Sequence, residues 1–173
     1  MKVLVAYMSK TGNTRKVAEA IYDEIAQEKE LKRIEEVDDI GAYDFAFLGF
    51  PMRVYGPDKK IKELLQRHCS NGRKVALFVT HACPEDFAEL PQWLEGFRQA
   101  ASGAELVGMF DCQGQLAASA KFVMKISPAK KLRMWAKLDD SKGQPDATRI
   151  EKARAFARRT MLQLEEQGLK QPS

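Results

Sequence analysis

Short apolar runs and amphipathic stretches alternate along the first two thirds of the chain. Lys2 to Met8 (KVLVAYM) is a β-rich apolar run of the kind buried on both faces of a parallel sheet. After the polar turn Ser9 to Asn13, Val17, Ala20, Ile21 and Ile25 recur at helical spacing across Thr14 to Gln27. Leu31 to Val37 reads as a charged edge strand and Tyr43 to Phe50 (YDFAFLGF) as a buried one. Pro57 and Asp58 open a helix that runs through about His68 with Ile61, Leu64 and Leu65 inward, and Asn71-Gly72 turns the chain into the strand Arg73 to Thr80. A helix through Trp93 and Phe97 ends near Ser102-Gly103, and Ala104 to Phe110 is the fifth strand. Such alternation predicts an α/β, doubly wound, five-stranded parallel sheet with right-handed crossovers and helices on both faces.

The remainder is less regular. Ala117 to Ile126 has helical character, Ser127-Pro128 breaks and restarts it, and Asp139 to Pro145 reads as a loop. The last helix begins at Asp146, a good N-cap, and packs through Ile150, Ala153, Ala157 and Leu164, with Gly168 to Ser173 expected to fray. No internal repeat or linker interrupts the chain, so it reads as one domain, 1–173, carrying an extra segment at 113–145.

Charge sharpens the picture of that segment. The net charge is +4, but residues 121–159 hold twelve Lys/Arg against four Asp/Glu, while residues 1–120 hold fifteen against eighteen. The basic character therefore belongs to the C-terminal part. With 45% hydrophobic residues, the 173-residue chain can bury a substantial core, and its longest apolar run, Val3 to Met8, is far short of the ~20 residues of a membrane span. The N-terminus has no signal-peptide pattern, and the expected location is cytoplasmic. Cys69, Cys83 and Cys112 form no CxxC and have no histidine at metal-ligand spacing, so neither a disulfide framework nor a metal site is expected; buried hydrophobic roles are the default for all three.

In an open parallel sheet, ligands bind beyond the carboxyl ends of the strands. The first such loop, Ser9-Lys10-Thr11-Gly12-Asn13-Thr14, offers three hydroxyls, a side-chain amide and successive backbone N–H groups just before a helix N-terminus that favours an anion. It matches neither the nucleotide-triphosphate loop GxxxxGK[ST] nor the dinucleotide pattern GxGxxG. Two further loops face the same edge: Pro51-Met52-Arg53-Val54-Tyr55-Gly56-Pro57 after the third strand, and Thr80-His81-Ala82-Cys83-Pro84 after the fourth. Asp111 to Gly114, after the fifth, is a further rim by topology alone.

The hexapeptide Ser9 to Thr14 follows the pattern [ST]-x-T-G-[NQ]-T directly after the first strand, and in this it resembles the phosphate-binding loop of flavodoxins. The resemblance covers residues 1–112 and the terminal helix. It implies sheet order 2-1-3-4-5, FMN as cofactor, and shuttling of electrons between a reductase and a dedicated acceptor enzyme. It also implies that Ser9, Thr11, Gly12, Asn13 and Thr14 hold the phosphate by hydroxyls and amides, with Lys10 facing solvent. Pro51, Met52, Arg53, Val54, Tyr55 and Gly56 would form one wall of the ring pocket, Tyr55 stacking near the flavin and Gly56 supplying a carbonyl that can flip. Thr80, His81, Ala82 and Cys83 would approach the other side, His81 either meeting the pyrimidine edge or lying as a solvent-facing loop residue. Unlike most flavodoxins, the chain is basic, and its fourth loop shows no second aromatic for the ring. Lys10, Arg53 and His81 would favour anionic reduced flavin and so a less negative potential than in acidic members.

The extra segment leaves three roles open. Apolar Phe122, Ile126, Leu132, Trp135 and Leu138 interleave with Lys121, Lys125, Lys130, Lys131, Arg133 and Lys137. Two modest helices packed on the sheet edge, a docking site for an acidic partner, and peripheral membrane contact through 116–138 all fit that composition. The segment also resembles the basic, aromatic-containing insert of quinone-dependent protoporphyrinogen oxidases. The alternative function is thus an FMN oxidoreductase acting on a quinone or a protoporphyrinogen-type substrate at a membrane surface. Nucleic-acid binding is not expected, since few aromatics are available for base stacking.

Overall fold

In the computed structural model, which describes residues 1–169, five parallel strands form one sheet in the order β2-β1-β3-β4-β5. The strands are β1 (Lys2–Tyr7), β2 (Glu28–Arg33), β3 (Phe45–Pro51), β4 (Lys74–His81) and β5 (Glu105–Gln113). The helices are α1 (Asn13–Glu24), α2 (Lys59–His68), α3 (Leu90–Ala100), α4 (Ala118–Ile126), α5 (Lys130–Leu138) and α6 (Ala147–Leu169). The expected sheet order and the helices on both faces are present.

Strand alternation divides the core in two. Leu4, Ala6 and Met8 of the first strand and its exit share one side with Leu48, Leu77, Ile61 of α2 and Phe97 of α3. Val3, Val5 and Tyr7 point to the other, against Val17 and Ile21 of α1 and Phe156 of α6. Phe47 stands edge-on to both Phe45 and Phe156, with ring centroids 5.0 and 5.9 Å apart. Space is tight where β3 passes β4. A Cβ built on Gly49 would lie 2.0 Å from the ring of fully buried Phe78.

Several element limits differ from the sequence expectation. The second strand is Glu28–Arg33, not Leu31 to Val37, because Ile34, Val37 and Ile40 reach the core from short 3-10 turns rather than from a strand. Strand β2 is held at the sheet edge by charge: Glu30 accepts from the Tyr43 hydroxyl at 2.7 Å and pairs with Lys2 at 2.8 Å. Helix α1 stops at Glu24 instead of Gln27, its last carbonyls taken by the Lys29 ammonium, which donates to Tyr22 O and Ile25 O at 2.8 and 2.7 Å. Asp58 and Asp146 cap α2 and α6, accepting from the N–H groups of Ile61 and Arg149 at 2.9 and 3.0 Å. Gly168 and Leu169 remain helical, and the rest of the tail expected to fray, 170–173, lies outside the described residues.

Among the described residues, no helix is long and apolar enough to cross a membrane. Replacement of Gly49 by alanine is expected to cost about 2 kcal/mol or more, since the core cannot yield to an added methyl group. Denaturant unfolding of Gly49→Ala checks this, and a stability equal to that of the parent would show that Phe78 can move aside.

Candidate functional site

The loops at the carboxyl edge of the sheet are stitched to one another. Thr14 at the start of α1 is buried, and its hydroxyl lies 2.8 Å from that of Thr80 on β4. The Met52 N–H donates to Thr80 O, and the Gly114 N–H to His81 O, at 2.8 and 2.7 Å. The Asn13 amide crosses to Gln115 O at 2.8 Å, and a Cβ on Gly114 would come within 2.8 Å of that amide, so the approach requires glycine there. The four ligand-side loops thus act as a unit.

Gly12 takes the N-cap of α1 in left-handed backbone (φ 93°), a conformation glycine adopts without strain, and no side chain caps the helix. Its first helical bond is Lys16 N–H to Gly12 O, which leaves the N–H groups of Asn13, Thr14 and Arg15 unpaired within the helix. Beside this helix start lies a cleft of about 330 Å³ lined by Ser9, Lys10, Thr11, Asn13, Thr14 and Thr80, together with Arg53, His81 and Gln115. No carboxylate lines this cleft. Hydroxyls, amides and cations without an opposing acid fit a phosphate monoester.

Across a shared wall of Met52, Arg53, His81 and Ala82 lies a larger cavity of about 790 Å³. Its surface is mainly apolar. Val54, Tyr55 and Cys83 line it from the expected loops, and Phe87, Trp93, Met124, Leu132 and Trp135 from segments that sequence reasoning had not assigned to a site. Tyr55, Trp93, Phe87 and Trp135 form a closed quartet, neighbouring centroids 5.1 to 6.3 Å apart. The quartet draws Phe87 from further along the loop after β4, Trp93 from α3 and Trp135 from α5. Gly12 and Gly56 line neither chamber but shape the backbone beside them, Gly56 at φ 133°.

Helices α4 and α5 do not pack on the sheet edge. No residue of α4 is buried, and Ala136 is the only buried residue of α5. They form a hairpin that roofs the large cavity. Its base is fixed by Gln113 Nε2–H to Asp140 at 2.7 Å, by the Leu116 N–H to Ser141 Oγ at 2.8 Å and by the Lys121–Asp139 pair, and the adjoining turn of α5 by Trp135 in the aromatic quartet.

Thr80 and His81 belong to the end of β4 rather than to a loop, and His81 is not solvent-facing: its side chain is 1% exposed. Likewise Asp111, Cys112 and Gln113 continue β5 instead of forming a rim loop. Nδ1 of His81 lies 2.9 Å from Cys83 O, and Nε2 lies 3.1 Å from Asp111 Oδ2. A neutral imidazole has one N–H donor, so facing two acceptors favours the doubly protonated cation. Burial, the largest single influence, opposes the charge, but the bonds to Asp111 and Cys83 together outweigh it and raise the pKa to about 9. Cys83 Sγ sits 3.3 Å from the same ring, half-exposed at the cavity, and is not a core residue as expected. Cys69 and Cys112 are buried and free, their thiols pushed up to about 12 by burial.

The three cations thought to surround the ring do not act as three free charges. Arg53 pairs with Asp58 at 3.3 Å and His81 with Asp111, while exposed Lys10 makes no ion pair among the described residues.

Comparison with known proteins agrees with this geometry. A family profile described as "Flavodoxin domain" matches residues 4–158. The chain belongs to the flavodoxin family. FMN is accordingly its cofactor, and the donor set of the small cleft beside an apolar, aromatic-walled chamber suits a phosphate and a flat ring system. This flavodoxin is 34% identical to the flavodoxin-like domain-containing protein BilS of Clostridioides difficile (strain CD3), over 94% of its own length and 97% of the relative's. Its fold is shared with oxidised flavodoxin 2 from Bacillus cereus (24% identity, TM-score 0.58, covering 94% of this chain and 99% of that one). A flavoprotein from Lactobacillus acidophilus NCFM, solved in complex with FMN, is 23% identical with a TM-score of 0.51 over 64% of this chain and 92% of that one.

The paired His81 makes stability depend on pH. Its pKa rises from 6.5 to about 9 on folding, so its contribution is fully present below pH 6.5 and is lost as the pH climbs through 9. That shift corresponds to roughly 3 kcal/mol. Unfolding free energies at pH 6 and pH 10 are expected to differ by about this much more in the parent than in Asp111→Asn; equal differences in the two proteins would assign the titration elsewhere.

Proposed function

We propose that this flavodoxin is an electron carrier that takes electrons from a reductase and delivers them to a dedicated acceptor enzyme. The observation that carries the reading is the two-chambered site, a carboxylate-free phosphate cleft opening across His81 and Arg53 into an aromatic-walled cavity. When bound, FMN supplies one- and two-electron redox chemistry.

The chain's own residues divide the remaining work. Ser9, Thr11 and Thr14 offer hydroxyls to the phosphate, and the N–H groups of Asn13, Thr14 and Arg15 add the favourable end of the helix dipole. Thr80 orients the Thr14 hydroxyl, and Asn13 is held by Gln115. Met52, Arg53, Val54 and Tyr55 border the ring from one side and His81, Ala82 and Cys83 from the other, while Pro51 and Thr80 line the phosphate cleft and Gly56 shapes the turn beside them. His81, kept cationic by Asp111, stands between the two chambers with both ring N–H groups committed, which fixes the wall they share. Trp135 and the hairpin above it keep water from the apolar chamber.

A second reading draws on the size of the roofed cavity, about 790 Å³, which suits an FMN oxidoreductase with its own apolar substrate such as a quinone or a protoporphyrinogen-type ring. The two readings separate on anaerobic stepwise reduction of the FMN-loaded protein. Two distinct one-electron waves favour the carrier, and rapid reduction of an added quinone without a partner protein favours the enzyme.

Thr11→Ala and Thr14→Ala are each expected to weaken FMN binding about tenfold, the loss of one hydrogen bond to a charged group. Flavin fluorescence titration measures this directly, and unchanged affinity in both variants removes the phosphate assignment.

A further inference from the structure

The α4–α5 hairpin carries charge that the fold does not balance. On α6, Arg149 and Lys152 share Glu85, and Arg154 and Arg158 share Glu24, so those cations are neutralised internally. On the hairpin Lys121 alone has a carboxylate, Asp139. Among the described residues Lys125, Lys130, Lys131, Arg133 and Lys137 make no ion pair. Arg133 donates instead to the carbonyls of Ser127 and Pro128 at 2.7 and 2.8 Å, and Lys131 lies 4.9 Å over Trp135. Five like charges on two short helices repel one another, and an external anionic surface would relieve that repulsion.

Exposed apolar side chains accompany them. Phe122, Val123, Ile126, Met134 and Leu138 are between 49% and 69% exposed, and Val54 and Tyr55 are exposed on the facing loop. Val123, Met134 and Leu138 line the large cavity and form the lip of its mouth, while Phe122 and Ile126 of α4 stand outside it. Helical spacing turns Lys130, Arg133 and Lys137 of α5 to the side opposite Trp135 and Leu138. A helix lying on a bilayer turns its apolar face outward into the lipid, whereas on α5 Trp135 and Leu138 line the cavity and Lys130, Arg133 and Lys137 face away from it. A protein with carboxylates around an apolar prominence matches both features.

We propose that the hairpin is the docking surface for an electron-transfer protein with a carboxylate-rich face, seated over the mouth of the aromatic cavity. This rests on the carrier reading above. Charge attraction steers the partner, and the apolar lip fixes its seat where the distance to the cofactor chamber is short.

The test uses the FMN-loaded full chain and a dithionite-reduced acidic [2Fe–2S] ferredoxin as the partner probe. Each ferredoxin gives up one electron, two per FMN, with protons drawn from solvent. The charge-reversed variant Lys125→Glu/Lys130→Glu/Lys137→Glu leaves Arg133 and Lys131 in their contacts and touches no cavity-lining residue. Its second-order rate of reduction, followed by stopped flow at low salt, is expected to fall at least about tenfold, and the parent's rate to fall similarly at high salt. Flavin fluorescence is expected to show unchanged FMN affinity in the variant. Equal rates for parent and variant, or a parent rate indifferent to salt, overturn the docking surface while leaving the carrier reading intact. A parent that takes up no FMN sinks the carrier reading itself. Sedimentation of the parent, but not the variant, with phosphatidylglycerol vesicles at physiological salt assigns the patch to a membrane and overturns the proposal.

Discussion

Thr80 is where the ligand side of this protein is tied together. Its hydroxyl meets that of Thr14 at 2.8 Å, and its carbonyl accepts from Met52. It therefore joins the first, third and fourth loops at one buried point. A hydroxyl pair buried this deeply is costly to break, because each oxygen would lose its partner. The open N-terminus of α1 thereby keeps its position against the sheet edge. The small cleft depends on that position, since the helix sets the direction of the backbone N–H groups at its N-terminus.

Electrostatics divides the molecule into a balanced body and an unbalanced hairpin. In the body, Lys32 of β2, Arg149, Lys152, Arg154 and Arg158 of α6 and the site cations Arg53 and His81 find carboxylates. Even the buried imidazolium is compensated, by Asp111 and a backbone carbonyl. The hairpin differs in kind, because its cations face solvent and its apolar residues border a cavity. It roofs the cavity through one aromatic side chain, Trp135, and through polar bonds at its base.

Much of the fold was legible because a parallel sheet buries both faces of its strands. KVLVAYM and RKVALFVT carry that signature locally, as Asp58 and Asp146 carry the signature of a helix cap. The second strand was misplaced for an equally local reason: Ile34 and Val37 look like strand residues, yet they reach the core from turns. That Ser9, Thr11, Asn13 and Thr14 line one cleft was legible because they are contiguous. The aromatic quartet was not, since Tyr55, Phe87, Trp93 and Trp135 lie far apart in sequence and come from two loops and two helices.

By itself the sequence determined the alternating strand and helix order, the hydroxyl- and amide-rich turn from Ser9 to Thr14, and the basic character of residues 121–159. Each of these is written in neighbouring residues and needs no knowledge of what lies across the fold. Only the tertiary structure decided that His81 is a buried cation rather than a loop histidine, because its state depends on Asp111, thirty positions away on the next strand. The same holds for the hairpin, read from composition as compatible with three roles. Its place over the cavity follows from where Trp135 finds aromatic partners, and the exposure of its charges follows from which carboxylates the folded chain leaves within reach.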